Sequence, residues 1–419
     1  MEIIIKNGII ATAQDTFAAD IFIEDGLIKA IGPDLARSGA EVIDAKQCYV
    51  MPGGVDVHTH FNLDTGMAKA QDDYYSGTKA AACGGTTCIV DHPGFGPAGC
   101  DLDYMIRQYH REAQGQAVID YGFHGVFQQV NAGILTRIRA LVREGVPSFK
   151  AYLTYDYKME DADLLAVLRE LKKSSGLLVV HAENDVVIQT RRKEFLAAGK
   201  TAPIYHAESR PDFCESEAVA RVLDLALAAG PAPVYIVHLS TALGLEKIKQ
   251  ARRNGQTVLV ETCPQYLLLD DSCYAEADFG GLKYIMAPPL RKPADQSALW
   301  QALRDGDIDV VATDHCPFDF SLKLKLGKED FSRCPGGIAG VETRVPLMFS
   351  EGVAKKRIDL KRFVDVVSTA PAKIMGLYPQ KGDLRPGSDA DIVILDPARQ
   401  VTITQSLLHH NVDYTPFEG

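Results

Sequence analysis

Pro52-Gly53-Gly54-Val55-Asp56-Val57-His58-Thr59-His60 is the stretch that decides the fold. A Pro-Gly-Gly turn hands over to an apolar run that ends in two histidines. Residues i and i+2 of an extended strand point to the same side, so His58 and His60 stand together at the carboxyl end of a strand. A chance surface pair is the bland explanation of any isolated His-x-His. The position of this one, at a strand end directly after a turn, favours two ligands of a divalent ion, and Zn²⁺ is the ion expected there. Barrel enzymes carry their sites at that end of their strands.

Outward from this motif the middle of the chain alternates. Strand-like runs are Gly54–His58, Thr86–His92, Ala117–His124, Ser148–Leu153, Leu177–Glu183, Val234–Ser240, Thr257–Thr262 and Ile308–Asp314. Helix-like stretches lie between them. Asp163–Lys173 carries Leu164, Leu165, Leu168 and Leu171 on one face; Thr241–Arg253 has Ser240 as N-cap and Gly255 as stop; Ala294–Arg304 ends at Gly306. Eight strands alternating with helices predict a closed parallel (β/α)₈ barrel of the TIM type, with a doubly wound open sheet as the rival.

The two ends have another texture. Ile3-Ile4-Ile5 meets Asn7-Gly8, Asp20–Ile23 meets Asp25-Gly26, and Leu27–Gly32 and Glu41–Asp44 follow, which reads as a meander of hairpins. Turn and strand texture returns in Gly382–Leu395. The expectation is a small β-sandwich domain from both chain ends, residues 1–52 plus 382–419, flanking a barrel domain over 53–381. The 419 residues are enough for both, because a barrel takes roughly 250.

The net charge of -11 argues against a nucleic-acid partner, which would need a basic face. No apolar run reaches the roughly 18 residues of a membrane span, and the N-terminus does not read as a signal segment. Nine cysteines, an odd number with no C-x-x-C pair, do not form a disulfide framework, so a reducing cytoplasm is the expected location.

Further polar residues fall at or near strand ends: Lys150 in the fourth, His181 in the fifth, His238 in the sixth and Asp314 in the eighth. Each is costly in a strand unless it has a partner, and a bound metal would serve all of them at once. Lys150, in Pro147-Ser148-Phe149-Lys150-Ala151-Tyr152, leaves two readings open. Desolvation would lower its pKa, and the neutral amine could take up CO₂ to give a carbamate able to bridge two ions. Alternatively it is a buried lysine paired with a carboxylate such as Asp314.

Together these segments resemble the cyclic amidohydrolases. The resemblance is carried by Pro52–His60, Phe149-Lys150-Ala151-Tyr152, Val180-His181-Ala182-Glu183-Asn184, Val237-His238-Leu239-Ser240 and Thr313-Asp314-His315-Cys316-Pro317-Phe318. Glu261–Tyr266 and Asn411–Phe417 are similar to the hydantoinase/dihydropyrimidinase branch, the D-phenylhydantoinases in particular. The resemblance implies two divalent metal ions, expected to be Zn²⁺. His58, His60 and Asp314 would hold one and His181 and His238 the other, with N6-carboxylated Lys150 and a hydroxide as bridges. It implies hydrolytic opening of a cyclic amide, a 5-substituted hydantoin such as D-phenylhydantoin going to the N-carbamoyl amino acid. Asp314 would carry the proton and Tyr155 would hydrogen-bond the oxyanion; packing within its loop is the other reading of Tyr155. A homotetramer is also implied.

Several details bear on the substrate. Dihydroorotases usually carry an arginine where this chain has Asn62, which argues against a carboxylated ring. Tyr152, Tyr155, Tyr157 and Phe95 suit an apolar or aromatic ring substituent. Ala287 and Gly336 stand where hydantoinases often have Ser and Asn; both positions would meet the substrate amide through the backbone. Dihydropyrimidinase and allantoinase activity are the alternatives. A non-catalytic scaffold of the collapsin-response type is disfavoured because every ligand is present. His92, His124, His315 and His409-His410 read as packing or structural residues, and Cys316 has no task beside a metal site. Relatives typically run on beyond the point where this chain stops, so a tail is missing or this member is short.

Overall fold

A computed structural model describes residues 1–419. The strands of the N-terminal part are β1 (Glu2–Lys6), β2 (Ile9–Ala11), β3 (Thr16–Ala18), β4 (Asp20–Glu24), β5 (Leu27–Gly32), β6 (Glu41–Asp44) and β7 (Tyr49–Pro52). Then come β8 (Gly54–Thr59), β9 (Thr86–Asp91), β10 (Asp120–Phe123), β11 (Gly125–Val126), β12 (Ser148–Tyr152), β13 (Leu177–His181), β14 (Val234–Ile236), β15 (Val258–Thr262), β16 (Val310–Val311) and finally β17 (Ile392–Leu395).

The chain ends build two four-stranded sheets, ordered β5-β4-β1-β6 and β17-β7-β2-β3. Ile5, Ile10, Ile21, Ile23, Ile28, Val50 and Leu384 form their common core. Asp25-Gly26 closes a two-residue hairpin between β4 and β5, with φ of 52° and 75° as that turn requires. Asn7-Gly8 does something other than the expected hairpin. β1 and β2 belong to different sheets, and β1 pairs with β4 and, in parallel, with β6. Asn7 has φ 62°, and its amides bond to the Asp20 and Asp44 carboxylates. A Cβ on Gly8 would lie 2.5 Å from Val50 Cγ2. The pair is thus a corner that passes the chain between packed layers.

All eight barrel strands form where the alternation places them, and all pair in parallel. The third is bent at His124 into β10 and β11. The seam closes through His58–His60 and Asp314-His315: Asp314 N–H donates to His58 O at 2.9 Å and His60 N–H to His315 O at 2.9 Å. Along β13, Leu178 and Val180 join the core formed with the helices, whereas Leu177 and Val179 belong to a separate inner cluster with Tyr235 and Val310. This is the period-2 alternation of a strand covered on both faces. Phe149 and Ala151 lie on the helix side, so Lys150 between them points into the barrel. The same parity puts Glu261 inside, since Val258 and Val260 face the helices.

One local reading changes. The helix Ala242–Arg253 is capped by Thr241, whose hydroxyl accepts from Gly244 N–H; Ser240 bonds to the buried Glu215 carboxylate instead. Gly94-Phe95-Gly96-Pro97-Ala98-Gly99 has the spacing of a dinucleotide-binding turn after β9, but a loop follows it and the next helix starts only at Tyr104, so the spacing lacks its structural context. The tail lies against barrel residues: His409 bonds to Glu342, Asn411 N–H to Asp72, Phe320 N–H to Asp413 and Tyr414 O–H to Lys283 O. No helix is long and apolar enough to cross a membrane.

Candidate metal centre

Five strands deliver six side chains to one point at the carboxyl end of the barrel. His58 Nε2 and His60 Nε2 lie 3.1 and 3.2 Å from the same Asp314 oxygen. Lys150 Nζ is 3.4 Å from His58 Nε2, and His238 Nε2 is 2.9 Å from His181 Nδ1. All the predicted ligands are therefore neighbours, and Lys150 does not pair with Asp314 in a direct ion pair.

The donor chemistry fits metal ions. His58 donates its Nδ1–H to Glu261 Oε1 at 2.6 Å, which leaves a lone pair on Nε2 facing the Asp314 oxygen. His181 donates Nε2–H to Glu183 Oε2 at 2.8 Å, so its Nδ1 accepts from His238 Nε2–H at 2.9 Å, a proton whose place a cation would take. His60 Nδ1 and His238 Nδ1 have no partner at all. Acceptors that converge in a buried space repel one another unless a cation sits among them. Carboxylate partners behind metal-binding imidazoles are the usual means of fixing tautomer and ring direction.

Burial, set against weaker attraction from Asp314 and Glu261, pushes the Lys150 ammonium down to about 8. Part of the lysine is then the free amine near neutral pH, the form a carbamate requires. Burial alone would raise the Asp314 carboxyl; with a proton on the facing nitrogens of His58 and His60, their charge and hydrogen bonds outweigh burial and hold it well below the usual range, a place that a cation would take in the loaded protein. Three residues here adopt left-handed backbone without being glycine: Tyr155 at φ 72°, His238 at 38° and Asp314 at 55°. Such strain persists where surrounding packing over-determines a site.

A model of the "Amidohydrolase family" matches residues 49–419. The chain belongs to the amidohydrolase family. Amidohydrolases typically depend on two metal ions, and His58, His60 and Asp314 offer one such cluster here. The chain is 54% identical over 420 residues to a D-phenylhydantoinase of Escherichia coli O1:K1 / APEC, covering 100% of this chain and 91% of that protein. Among solved structures it is similar to a dihydropyrimidinase from Brevibacillus agri NCHU1002, with TM-score 0.98 at 44% identity and coverage of 100% and 91%. It is also similar to an L-hydantoinase (dihydropyrimidinase) from Arthrobacter aurescens, with TM-score 0.90 at 32% identity and coverage of 100% and 92%.

Around this amidohydrolase centre the other expected residues are distributed as follows. The Tyr155 ring stands 5.3 Å from that of His181; the residue is 39% exposed, yet desolvation of its phenol pushes it up, so it remains an O–H donor. The loops of Ala287 and Gly336 are laced together: Gly337 N–H donates to Ile285 O at 2.9 Å, and Cys316 N–H to Ile338 O at 3.0 Å ties the second loop beside Asp314. Asn62 is turned away, its amide on Glu112. Phe95 stacks on Tyr157 at 3.9 Å and meets Tyr152 edge-on, which gives the aromatic rim a built shape. His124 donates Nε2–H to Val57 O and accepts from Ser148. His315 holds Asp72 and the Gly340 and Val341 amides. His92 stacks on His124 at 4.0 Å, and neither of its ring nitrogens has a partner. Burial pushes the Cys316 thiol well up.

Sequence reasoning did not single out Glu261, Glu183 with Arg210, or Lys323. Glu261 takes bonds from His58, from Tyr235 O–H at 2.8 Å and from His238 N–H at 3.0 Å. Arg210 pairs with Glu183 behind His181. Lys323 is fully buried and donates to Lys283 O, Ile285 O and Gly337 O, so it pins both the Ala287 and the Gly336 loops. Glu183 and Glu261 had one legible signal: a carboxylate at the end of an apolar strand. Lys323 had none, because its partners are all backbone.

Proposed function

We propose that the protein opens the ring of 5-substituted hydantoins, D-5-phenylhydantoin among them, by hydrolysis to the N-carbamoyl amino acid. The observation that carries this is the convergence of imidazole lone pairs, Asp314 and a deprotonatable Lys150 at the barrel mouth. The 54% identity to a D-phenylhydantoinase over the whole chain supports the substrate class.

His58, His60 and Asp314 would hold one divalent ion and His181 with His238 a second, with N6-carboxylated Lys150 between them; Zn²⁺ suits this nitrogen and oxygen set. Such a pair supplies a nucleophile from water near neutral pH and polarises the amide carbonyl. Asp314 accepts the proton lost by the attacking water and returns it to the ring nitrogen as the C–N bond breaks. Tyr155 donates its O–H to the oxygen that gains charge. Backbone groups at Ala287 and Gly336 hold the ring amide, and the aromatic rim takes the 5-substituent. A homotetramer in the cytoplasm, and a division into a sandwich domain of 1–52 with the β17 segment of the expected 382–419 and a barrel domain of 53–381 against which the rest of the tail lies, complete the proposal.

Hydrolysis of D-5-phenylhydantoin, dihydrouracil and allantoin, with metal content measured alongside, tests it. Fastest turnover of the hydantoin is expected. Preference for dihydrouracil would make the six-membered ring the substrate. No turnover of any of the three by metal-loaded protein would refute cyclic-amide hydrolysis. Lys150→Ala is expected to lose binuclear loading, and two retained ions with full activity would rule out the carbamate.

A further inference from the structure

The helix Tyr74–Cys83 ends in Cys83-Gly84-Gly85. A Cβ on Gly84 would lie 2.2 Å from the Glu342 carbonyl oxygen, so glycine is what lets this helix end press against the Glu342 backbone. The approach assembles three different donors. Cys83 Sγ, a Glu342 carboxylate oxygen and a ring nitrogen of His409 all lie within 4.8 Å of one another. His409 belongs to the tail, some seventy residues from Glu342, and the two are held in register by a pair of bonds. His409 N–H donates to one carboxylate oxygen and Nδ1–H to the other, both at 2.7 Å. Glu342 is buried while Cys83 and His409 are exposed, so the cluster has an anchored base and an open face.

We propose that Cys83, Glu342 and His409 form a metal site separate from the barrel centre, which takes a thiophilic divalent cation of the Zn²⁺ class and clips the tail to the barrel. Thiolate, imidazole and carboxylate together are a tetrahedral zinc donor set, with the fourth position left to water on the exposed side. Zinc–ligand lengths put sulfur and nitrogen roughly 3.5 Å apart around a tetrahedral ion. Each ion bound displaces the Cys83 thiol proton into solvent; His409 shifts its ring proton from Nδ1 to Nε2, and Glu342 releases none. Burial and the Glu342 carboxylate push the Cys83 thiol up in the free protein, and a cation at the sulfur would oppose both.

Cobalt substitution of the holoenzyme tests the site, because the barrel ligands are all nitrogen and oxygen. Co²⁺-loaded protein is expected to show a near-ultraviolet thiolate-to-cobalt band and to release one proton with it. Cys83→Ser is expected to lose the band and one cobalt per chain, with hydantoin hydrolysis unchanged, and His409→Gln to bind the same ion more weakly. Equal cobalt stoichiometry in the wild-type and Cys83→Ser proteins, or a band that persists in the variant, would overturn the proposal. Neither outcome depends on which ring the barrel centre opens.

Discussion

Glu261→Gln separates charge from shape at the candidate centre. Glu261 Oε1 accepts from both His58 Nδ1 at 2.6 Å and His238 N at 3.0 Å, and Oε2 accepts from Tyr235 O–H at 2.8 Å. A glutamine with its carbonyl in the Oε1 position keeps the first two bonds. Its amino group donates to the Tyr235 oxygen once that hydroxyl turns. Every contact survives and the negative charge is lost. A hydrogen bond to a charged acceptor contributes about 1.5–3 kcal/mol and a neutral one about 0.5–1.5. The imidazole behind the ion is therefore weakened as a ligand by about 1–1.5 kcal/mol, or about tenfold in metal affinity. That lies at the lower edge of the range for carboxylates behind metal-binding histidines. Competition against a chromophoric chelator measures the dissociation constant, and thermal melting of the metal-free form measures the fold. The expected result is a roughly tenfold weaker constant with the metal-free melting point retained. Unchanged affinity would refute the role given to Glu261, and so would a metal-free melting point that falls as far as that of Glu261→Ala.

Tyr155→Phe is expected to lower kcat about 100- to 1000-fold with little change in KM, the loss of one oxyanion donor; steady-state kinetics on D-5-phenylhydantoin checks it, and a change in KM alone would return Tyr155 to packing. Phe149→Ala removes a fully buried ring that stacks on Phe127 at 5.8 Å and fills the space a side chain on Gly125 would need; urea unfolding should show a loss of about 3–5 kcal/mol. Burial, helped by Arg210, pushes the His206 imidazole down to about 3, while the unfolded chain takes up that proton near its ordinary value of about 6.5. The stability from neutral His206 is thus present above about 6.5 and drains away as pH falls toward 3. His206→Gln keeps the donor to Met286 O but cannot titrate. Between pH 6 and 4 the wild type should lose about 1.4 kcal/mol per pH unit relative to that variant, and parallel pH profiles would contradict this.

Much of the barrel was legible because a strand covered on both faces leaves an apolar run with few alternatives, and helices such as Asp161–Ser174 carry a buried stripe, here Leu164, Val167, Leu168 and Leu171, with Val167 in place of the half-buried Leu165. The polar residues at the barrel mouth were legible for the same reason: His58, Lys150, His181, His238 and Asp314 interrupt runs that packing would otherwise fill with apolar side chains. The corner at Asn7-Gly8 was not, since a turn signal says that the chain reverses locally and not which sheet receives it.

By itself, then, the sequence determined the alternation of strands and helices and the residue types at the barrel mouth, both of which are local properties of the chain. Tertiary structure alone decided which nitrogen of each histidine faces inward. That choice depends on Glu261 reaching His58 across 203 positions of sequence, and on Arg210 pairing with the carboxylate behind His181. It also decided that Lys323 pins two loops, and that the tail returns to place His409 on Glu342. These bonds join partners far apart in the chain, and no spacing or periodicity encodes them.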